Sequence, residues 1–196
     1  MTVKFDFSKE GSKGRYLIAG LTLFASRGYD LVSVRDISKE AGTSEAALYK
    51  HFKSKEDMAR HLFRMIIRTY TREIKRIALD TSKGTIARLQ EMQQYTYALY
   101  EADPESVQFA LLSQYKFWKE MEEDLKPHSW MQQLLEEGMA TGEIEKVSIH
   151  TLVSLYTGII LEPLIQYQLL KDWHVSWPEF TEEVTQSVRK LLEATP

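Results

Sequence analysis

Apolar residues recur three and four positions apart along almost the whole chain of 196 residues, a spacing that places them on one face of an α-helix. Residues that interrupt helices are few, with nine glycines and five prolines. The pattern predicts an all-α protein with about nine helices. The predicted helices cover residues 12–27, 34–41, 45–51, 55–78, 85–101, 104–117, 127–142, 148–173 and 177–193.

Polar capping residues and glycines mark where several of these helices begin and end. A serine followed three residues later by an acidic residue is typical of a capping box at a helix N-terminus, and glycine is typical just after a C-terminus. The predicted N-terminal signals are Ser33 with Asp36, Ser44, Ser54 with Asp57, Asp103 with Pro104, and Ser176 with Glu179. The predicted C-terminal signals are Gly28, Gly42 and Gly142.

Charge is distributed unevenly along the chain, although the net charge is only -3. Residues 1–80 hold 16 Lys and Arg against 10 Asp and Glu, a net of +6, whereas residues 81–196 hold 9 against 18, a net of -9. A basic N-terminal segment on an acidic body indicates a module that binds a polyanion, with solvated helix faces as the alternative.

Neither a secretory signal nor a membrane span is expected. Lys4 and Asp6 stand where a signal sequence needs apolar residues, and the most apolar stretch, 152–170, contains Glu162 and Pro163. The chain has no cysteine, which excludes disulfides and thiol chemistry and suits a reducing cytoplasm.

The two short helices predicted on either side of Ala41-Gly42-Thr43 form a helix-turn-helix pattern. The surrounding segment reads Leu23-Phe24, Gly28-Tyr29, Ser33-Val34-Arg35-Asp36-Ile37, Ala41-Gly42-Thr43-Ser44, Leu48-Tyr49, His51-Phe52 and Ser54-Lys55-Glu56. With these spacings it resembles the TetR family of bacterial transcriptional regulators.

The resemblance implies a three-helix DNA-binding domain over residues 9–55, linked by the helix that begins at 55 to an effector-binding and dimerisation domain over 56–196. It implies a cytoplasmic, nucleoid-associated repressor that binds a pseudo-palindromic double-stranded DNA operator as a homodimer. A small-molecule effector would release the repressor from DNA. An activator of the same family is an alternative.

DNA-contacting residues follow from the same resemblance, which places the third helix in the major groove. Arg35 is expected to read a guanine edge, because its guanidinium can donate two hydrogen bonds to that edge. Tyr49, His51 and Lys55 are expected at phosphates, Lys55 together with free amides at the start of the following helix. Further candidates are Ser33, Thr43, Ser44, Glu45, Ala46, Ala47 and Lys50.

Three positions depart from the family pattern. Thr43 stands where valine is usual, Ala46 where glycine is frequent, and Ala47 where threonine or serine is frequent. Ala46 and Ala47 can still contact thymine methyl groups. Phe24, Leu48 and similar apolar residues of this segment are expected to form its core rather than to contact DNA.

The helix predicted over 148–173 is apolar on nearly every side and must therefore be covered on every side. TetR-like proteins pair their last two long helices in a four-helix dimer interface, which here implies the helices over 148–173 and 177–193. The residues expected at this interface are Leu155, Ile159, Val184, Val188 and Leu191.

TetR-like proteins also bind an effector in a cavity among the middle helices, which here are rich in large aromatic residues. The candidate pocket residues are Tyr95, Phe109, Trp118, Trp130, Tyr156 and Glu162. Glu162, next to Pro163, either lines this pocket or is an exposed residue on a kinked helix. The effector is expected to be apolar or amphipathic.

Other classes of function lack the residues they need. The five histidines are scattered, the chain has none of the motifs HExxH, GxSxG, GxGxxG or a P-loop, and no residues have metal-ligand spacing. Neither an enzyme nor a cofactor nor a metal is therefore expected. A helical adaptor that binds protein through the basic segment stays an alternative, which a weak dependence of binding on salt would reveal.

Overall fold

The computed structural model describes residues 5–113, 115–169 and 175–193. These residues confirm the all-α prediction, with no β-strand in the described ranges. The helices are α1 (Ser12–Arg27), α2 (Val34–Glu40), α3 (Glu45–Tyr49), α4 (Lys55–Ala78), α5 (Thr85–Ala102), α6 (Pro104–Val107), α7 (Tyr115–Trp118), α8 (Pro127–Thr141), α9 (Ile149–Leu169) and α10 (Trp177–Leu192). Short 3-10 turns cover Ser8–Glu10 and Glu123–Leu125.

Most of the predicted helix ends are confirmed. Complete capping boxes open α2 at Ser33 and α10 at Ser176, and the Ser44 side chain caps α3. Gly28 and Gly142 follow α1 and α8 with φ of 82° and 81°, values that glycine adopts without steric strain. The local sequence therefore sets these helix boundaries.

The chain differs from the prediction in two elements. The helix α3 ends at Tyr49, two residues early, and continues as a turn. The segment expected to be one regular helix from 104 contains a π-helix over Gln108–Ser113, so the α-helical hydrogen-bond pattern changes there. Pro163 lies inside α9, and the predicted end of that helix at 173 lies outside the described residues.

The described residues divide into two compact units. The first contains residues 5–69, 99–113 and 115–121, and the second contains 70–98, 122–169 and 175–193. The helices α4 and α5 contribute residues to both units. The predicted domain boundary between residues 55 and 56 falls inside the first unit, in which residues 56–69, 99–113 and 115–121 group with the N-terminal helices.

Aromatic packing forms much of the core of the first unit. The Phe24 and Phe109 rings are stacked with centroids 5.5 Å apart, and the Phe117 ring packs against both Tyr29 and Phe63. Such ring pairs add to the stabilisation from burial. The predicted core residues of the helix-turn-helix segment are also buried: Leu17, Leu21, Phe24, Ile37, Leu48 and Phe52.

Buried tyrosine hydroxyls connect the helices of the second unit. Tyr156 on α9 donates to the carbonyl oxygen of Leu89 at 2.7 Å, and Tyr97 on α5 donates to that of Ile160 at 3.1 Å. A buried hydroxyl needs such a partner, because leaving it unpaired would cost free energy. These bonds fix α9 against α5.

Candidate nucleic-acid interface

The helices α2 and α3 form a helix-turn-helix whose inner face is buried. Ile37 on α2 and Leu48 on α3 are fully buried. In the turn, Gly42 adopts φ of 66°, and the amide of Thr43 donates to the carbonyl oxygen of Ser38 at 2.9 Å. These contacts hold the two short helices at a fixed angle.

The outer face of the same pair carries most of the predicted DNA contacts. Arg35 near the start of α2 is exposed, and on α3 the Tyr49 side chain is 52% exposed. Of the other candidates, Ser33, Ser44, Glu45, Ala46 and Lys50 are exposed, whereas Thr43 and Ala47 are half-buried. The arrangement offers donors of hydrogen bonds and apolar methyl groups together, as a major-groove surface requires.

His51 lies against α1 rather than projecting freely. Its Nε2 atom is 3.2 Å from the Ser12 hydroxyl oxygen, and its ring centroid is 5.7 Å from that of Tyr16. The side chain is half-buried. Its role at a phosphate stays a prediction.

Lys55 has a different environment from the one expected for a phosphate contact. Its Nζ donates to the carbonyl oxygens of Tyr29 at 2.9 Å and Val32 at 2.8 Å. Two of the three ammonium protons are therefore used inside the protein. Lys55 ties the start of α4 to the loop between α1 and α2, a role that the sequence did not reveal, because the bonded residues are 23 and 26 positions apart.

The first turn of α4 is also less suited to a phosphate than expected. Ser54 Oγ accepts from the Asp57 amide at 3.0 Å, and Asp57 Oδ2 accepts from the Lys53 amide at 2.9 Å. One of the expected free amides is thus occupied by the cap. Glu56 and Asp57 add negative charge where the helix dipole would otherwise attract an anion.

The residues predicted to line an effector pocket are divided between the two units. Phe109 and Trp118 belong to the first unit, where Phe109 is fully buried against Phe24. Tyr156 belongs to the core of the second unit, and burial raises the pKa of its hydroxyl well above the ordinary value. The Tyr95 ring is stacked on Tyr70 with centroids 5.8 Å apart.

Of the two alternatives for Glu162, the structure favours an exposed residue on α9 over a residue that lines a pocket. Its side chain is exposed and accepts a hydrogen bond from Gln166 Nε2 at 2.8 Å, one helical turn further on. Solvent and this amide satisfy the carboxylate, so its charge needs no ligand.

Two of the predicted dimer residues belong to the core of the second unit instead. Val184 and Val188 on α10 are 7% and 0% exposed, because α10 packs against α5 and α9. Leu155 on α9 is 50% exposed, and Ile159 and Leu191 are half-buried. Only these last three are available to a second subunit.

The helix α9 carries its apolar residues on both a buried and an uncovered side. Leu152, Tyr156, Ile160 and Leu164 are buried, in agreement with a packing face of period three to four. Contrary to the expectation from sequence, α9 has the length and composition of a helix that can cross a membrane, the one such helix among the described residues.

Among the described residues, no group of three or more histidine, aspartate or glutamate side chains is placed to hold a metal ion. The capping box of α2 gives the interface one electrostatic feature. Hydrogen bonds from the Ser33 hydroxyl and amide lower the pKa of the Asp36 carboxyl. The carboxylate charge is thereby kept beside the N-terminus of α2, where it stabilises the helix.

Known proteins resemble this chain most clearly at the helix-turn-helix. Residues 17–62 match the family model described as bacterial regulatory proteins, tetR family. The transcriptional regulator YwcC of Bacillus subtilis is 44% identical over 59 residues, which are 30% of this chain and 26% of that protein. The nucleoid occlusion factor SlmA of Vibrio campbellii is 31% identical over 99 residues, half of each chain.

Solved structures extend the likeness in fold to nearly the whole chain. The fatty acid degradation regulator FadR from Bacillus halodurans has a TM-score of 0.74 at 20% identity, with 95% of this chain and 96% of that chain covered. FadR from Bacillus subtilis in complex with stearoyl-CoA has a TM-score of 0.75 at 19% identity, with 91% and 98% covered. At these identities the likeness establishes the fold alone, and in sequence the chain spans half or less of the length of these curated relatives.

Proposed function

We propose that this protein is a sequence-specific transcriptional regulator of the TetR family, because residues 17–62 match the model of that family's DNA-binding domain. It binds a pseudo-palindromic operator as a homodimer and represses transcription until a small-molecule effector releases it. It acts in the bacterial cytoplasm, at the nucleoid, and not as an enzyme. The relatives named above are themselves regulators or nucleoid-associated factors.

The observation that carries this proposal is the two-sided construction of α2 and α3. Ile37 and Leu48 are buried on the inner face, while Arg35, Tyr49 and Lys50 are exposed to solvent on the outer face. A helix pair that served only to pack against the rest of the protein would not need these three exposed side chains. Residues 1–80 also carry the net positive charge that attraction to phosphates requires.

Base recognition is assigned to Arg35, and the positioning of α3 to phosphate contacts from Tyr49 and Lys50. The Tyr49 hydroxyl donates one hydrogen bond to a phosphate oxygen, which fixes the register without reading sequence. Lys55 acts indirectly, because its ammonium holds the loop that leads into α2. The position of Arg35 thus depends on a contact made outside the DNA surface.

Dimerisation is assigned to the uncovered side of α9. Leu155, Gly158 and Ile159 follow one another at the spacing of a single helix face, and a Cβ atom at Gly158 would meet nothing within 4 Å. A glycine on an open helix face lets a second helix approach closely. Leu191 on α10 extends the same apolar surface in the four-helix arrangement of TetR-like proteins.

The effector is assigned to the apolar or amphipathic class. The complex of Bacillus subtilis FadR with stearoyl-CoA supports this class, because that ligand joins a long apolar chain to a charged carrier. The effector acts by preferring a state in which the two recognition helices no longer match the operator spacing. The helix α4 is suited to transmit this change, since it runs without a break from Lys55 to Ala78.

Selection of bound duplexes from a random DNA library, with the purified full chain at near-physiological salt, tests the proposal. We expect an inverted repeat whose half-sites are about one helical turn of DNA, or a multiple of it, apart. A steep fall of log affinity with log salt should accompany it. Failure of a folded sample to enrich any sequence, together with salt-insensitive binding to protein, would favour the adaptor alternative.

A further inference from the structure

The segment that precedes α1 is bonded to the start of α6 through one buried carboxylate. The amide of Phe5 donates to Asp103 Oδ2 at 3.1 Å, although the two residues are 98 positions apart in sequence. Asp103 is only 6% exposed, and both residues belong to the first unit. An aspartate is rarely buried this fully unless it is paired or hydrogen-bonded, so this contact accounts for part of its burial.

The second oxygen of the same carboxylate caps α6. Asp103 Oδ1 accepts from the amide of Ser106 at 3.2 Å, which is the bond expected of an N-cap residue. The amide of Asp103 itself donates to the carbonyl oxygen of Leu99 at 2.8 Å, in the last turn of α5. Asp103 therefore joins three stretches of backbone, at the end of α5, the start of α6 and Phe5.

Residues 5–11, which we call the strap, lie closely against the first turn of α1. The Phe7 side chain is 4% exposed, and a Cβ atom at Gly14 would lie 2.2 Å from the carbonyl oxygen of Phe7. A side chain at position 14 would therefore displace the strap, whereas glycine permits this close approach. The strap also contacts α4, where Glu10 Oε2 lies 3.7 Å from His61 Nε2.

The strap leads to the turn that follows the recognition helix α3. Ser12, the first residue of α1, comes directly after the strap, and its hydroxyl oxygen is 3.2 Å from His51 Nε2. The Tyr16 ring lies against the same imidazole, with centroids 5.7 Å apart. His51 is thus held from the start of α1, two residues beyond the end of α3. A continuous series of contacts connects Asp103 through the strap to this turn.

We propose that Asp103 is a positioning residue for DNA binding, which acts through the strap on His51 and the end of α3. Hydrogen bonds and packed side chains that follow one another in this way can carry energetic coupling. Because Asp103 is bonded to the last turn of α5, a displacement of that turn moves the strap and thereby changes the affinity for DNA. The inference rests on the proposed function and adds to it a regulatory route that starts where α5 meets α6.

Amide hydrogen exchange in the full-length 15N-labelled protein and in Asp103→Ser tests whether Asp103 holds the strap. Serine is a good N-cap, but its single short hydroxyl cannot reach the Phe5 amide while it caps α6. We expect the Ser106 amide to stay protected in Asp103→Ser and the Phe5 amide to lose its protection. Glu101→Ser, which replaces an exposed acid in the last turn of α5, should leave both amides as in the parent. A Phe5 amide that is unprotected in the parent, or that stays protected in folded Asp103→Ser, would overturn the proposal.

Operator affinity, measured on folded variants with the sequence selected from the DNA library, tests the coupling. Asp103→Ser should weaken binding about fivefold, the effect of one lost hydrogen bond, with the salt slope unchanged because no phosphate contact is lost. Phe5→Pro removes the same bond from the side of the strap, so the two changes together should weaken binding no further than either alone. Phe5→Ala, which keeps the amide, is the control for the lost ring. If Asp103→Ser fails to fold, Phe5→Pro takes its place.

The His51→Ala background tests the route, because there Asp103→Ser should no longer affect operator affinity. An undiminished effect of Asp103→Ser in that background would overturn the route through His51. Loss of protection at Phe5 with the operator affinity of the parent retained would overturn the coupling alone and leave the proposed function intact. A parent that selects no operator would instead overturn the proposed function together with the effect on affinity.

Discussion

The ammonium of Lys55 lies 4.2 Å from the centroid of the Tyr29 ring and donates to the carbonyl oxygen of the same residue at 2.9 Å. Ring and carbonyl together hold one cation, so a residue at the start of α4 fixes the loop between α1 and α2. That loop leads directly into the capping box at Ser33. A residue expected to contact DNA is thereby identified as an internal support of the DNA-binding unit.

Replacement of Lys55 should destabilise the protein measurably. Lys55→Met keeps most of the length of the side chain but loses both hydrogen bonds to carbonyl oxygens, so we expect the free energy of unfolding to fall by about 1–3 kcal/mol. Urea denaturation measures this change. Lys53→Met is the matched control, because Lys53 is exposed and its substitution should stay within about 0.5 kcal/mol.

The salt dependence of operator binding should separate Lys55 from a lysine that touches phosphate. Each phosphate contact adds about one to the slope of log affinity against log salt. Lys50→Ala should therefore reduce the magnitude of this slope by about one, whereas Lys55→Met should weaken binding with the slope unchanged. A reduced slope in Lys55→Met would return Lys55 to the phosphate contacts.

Arg35 and Tyr49 should differ in how their replacement affects sequence preference. Arg35→Ala should lose about 1–3 kcal/mol of discrimination at one base pair, because a guanine edge loses its bidentate partner. Tyr49→Phe should weaken binding to all operators equally, since only a phosphate loses a donor. Library selection with each variant measures both effects, and a uniform loss in Arg35→Ala would assign that residue to the backbone.

The capping box of α2 should make the free energy of unfolding depend on pH in the acid range. Hydrogen bonds from Ser33 lower the pKa of the Asp36 carboxyl in the folded state. Its stabilisation is therefore complete above the ordinary aspartate pKa of about 4 and is lost as the pH falls through the lowered folded value. Asp36→Asn should flatten the acid limb of the stability curve relative to the parent, measured by urea unfolding across that range. Parallel curves would mean that the box contributes nothing through its charge.

Substitutions at two leucines of α9 should have separate effects, one on dimerisation and the other on folding. Leu155 is exposed and Leu164 is fully buried. Leu155→Asp should shift a dimer towards monomers in sedimentation with little change in helicity, because a charge enters the apolar interface. Leu164→Ala should instead lower the free energy of unfolding by about 2–5 kcal/mol. A stable dimer of Leu155→Asp would exclude this side of α9 as the interface.

Features that depend on neighbouring residues could be predicted from the sequence. The capping boxes at Ser33 and Ser176 join atoms three residues apart, so residue types alone identify them. The helix-turn-helix core, with Ile37 and Leu48, follows from the same local periodicity. The π-helix over Gln108–Ser113 could not be predicted, because the apolar spacing there is compatible with an ordinary α-helix.

Features that depend on which surfaces meet were predicted less well. The stripe that contains Val184 and Val188 was correctly identified as apolar, but periodicity does not tell whether the same chain or a second subunit covers it. The sequence left two environments open for Glu162, a pocket and an exposed helix face, and only the packing places its side chain on the open side of α9.

The recognition helix α3 has only five residues, little more than one helical turn. A helix this short does not form alone, so Leu48 and the Ser44 cap maintain it from the inner face. Its outward side chains at Glu45 and Ala46, and Lys50 just after its end, are exposed, and their replacement costs stability little. Under the proposed function, mutation can therefore explore new operators one residue at a time while folding is preserved, so descendants of a duplicated copy can diverge in the genes they regulate before any compensating change in the core.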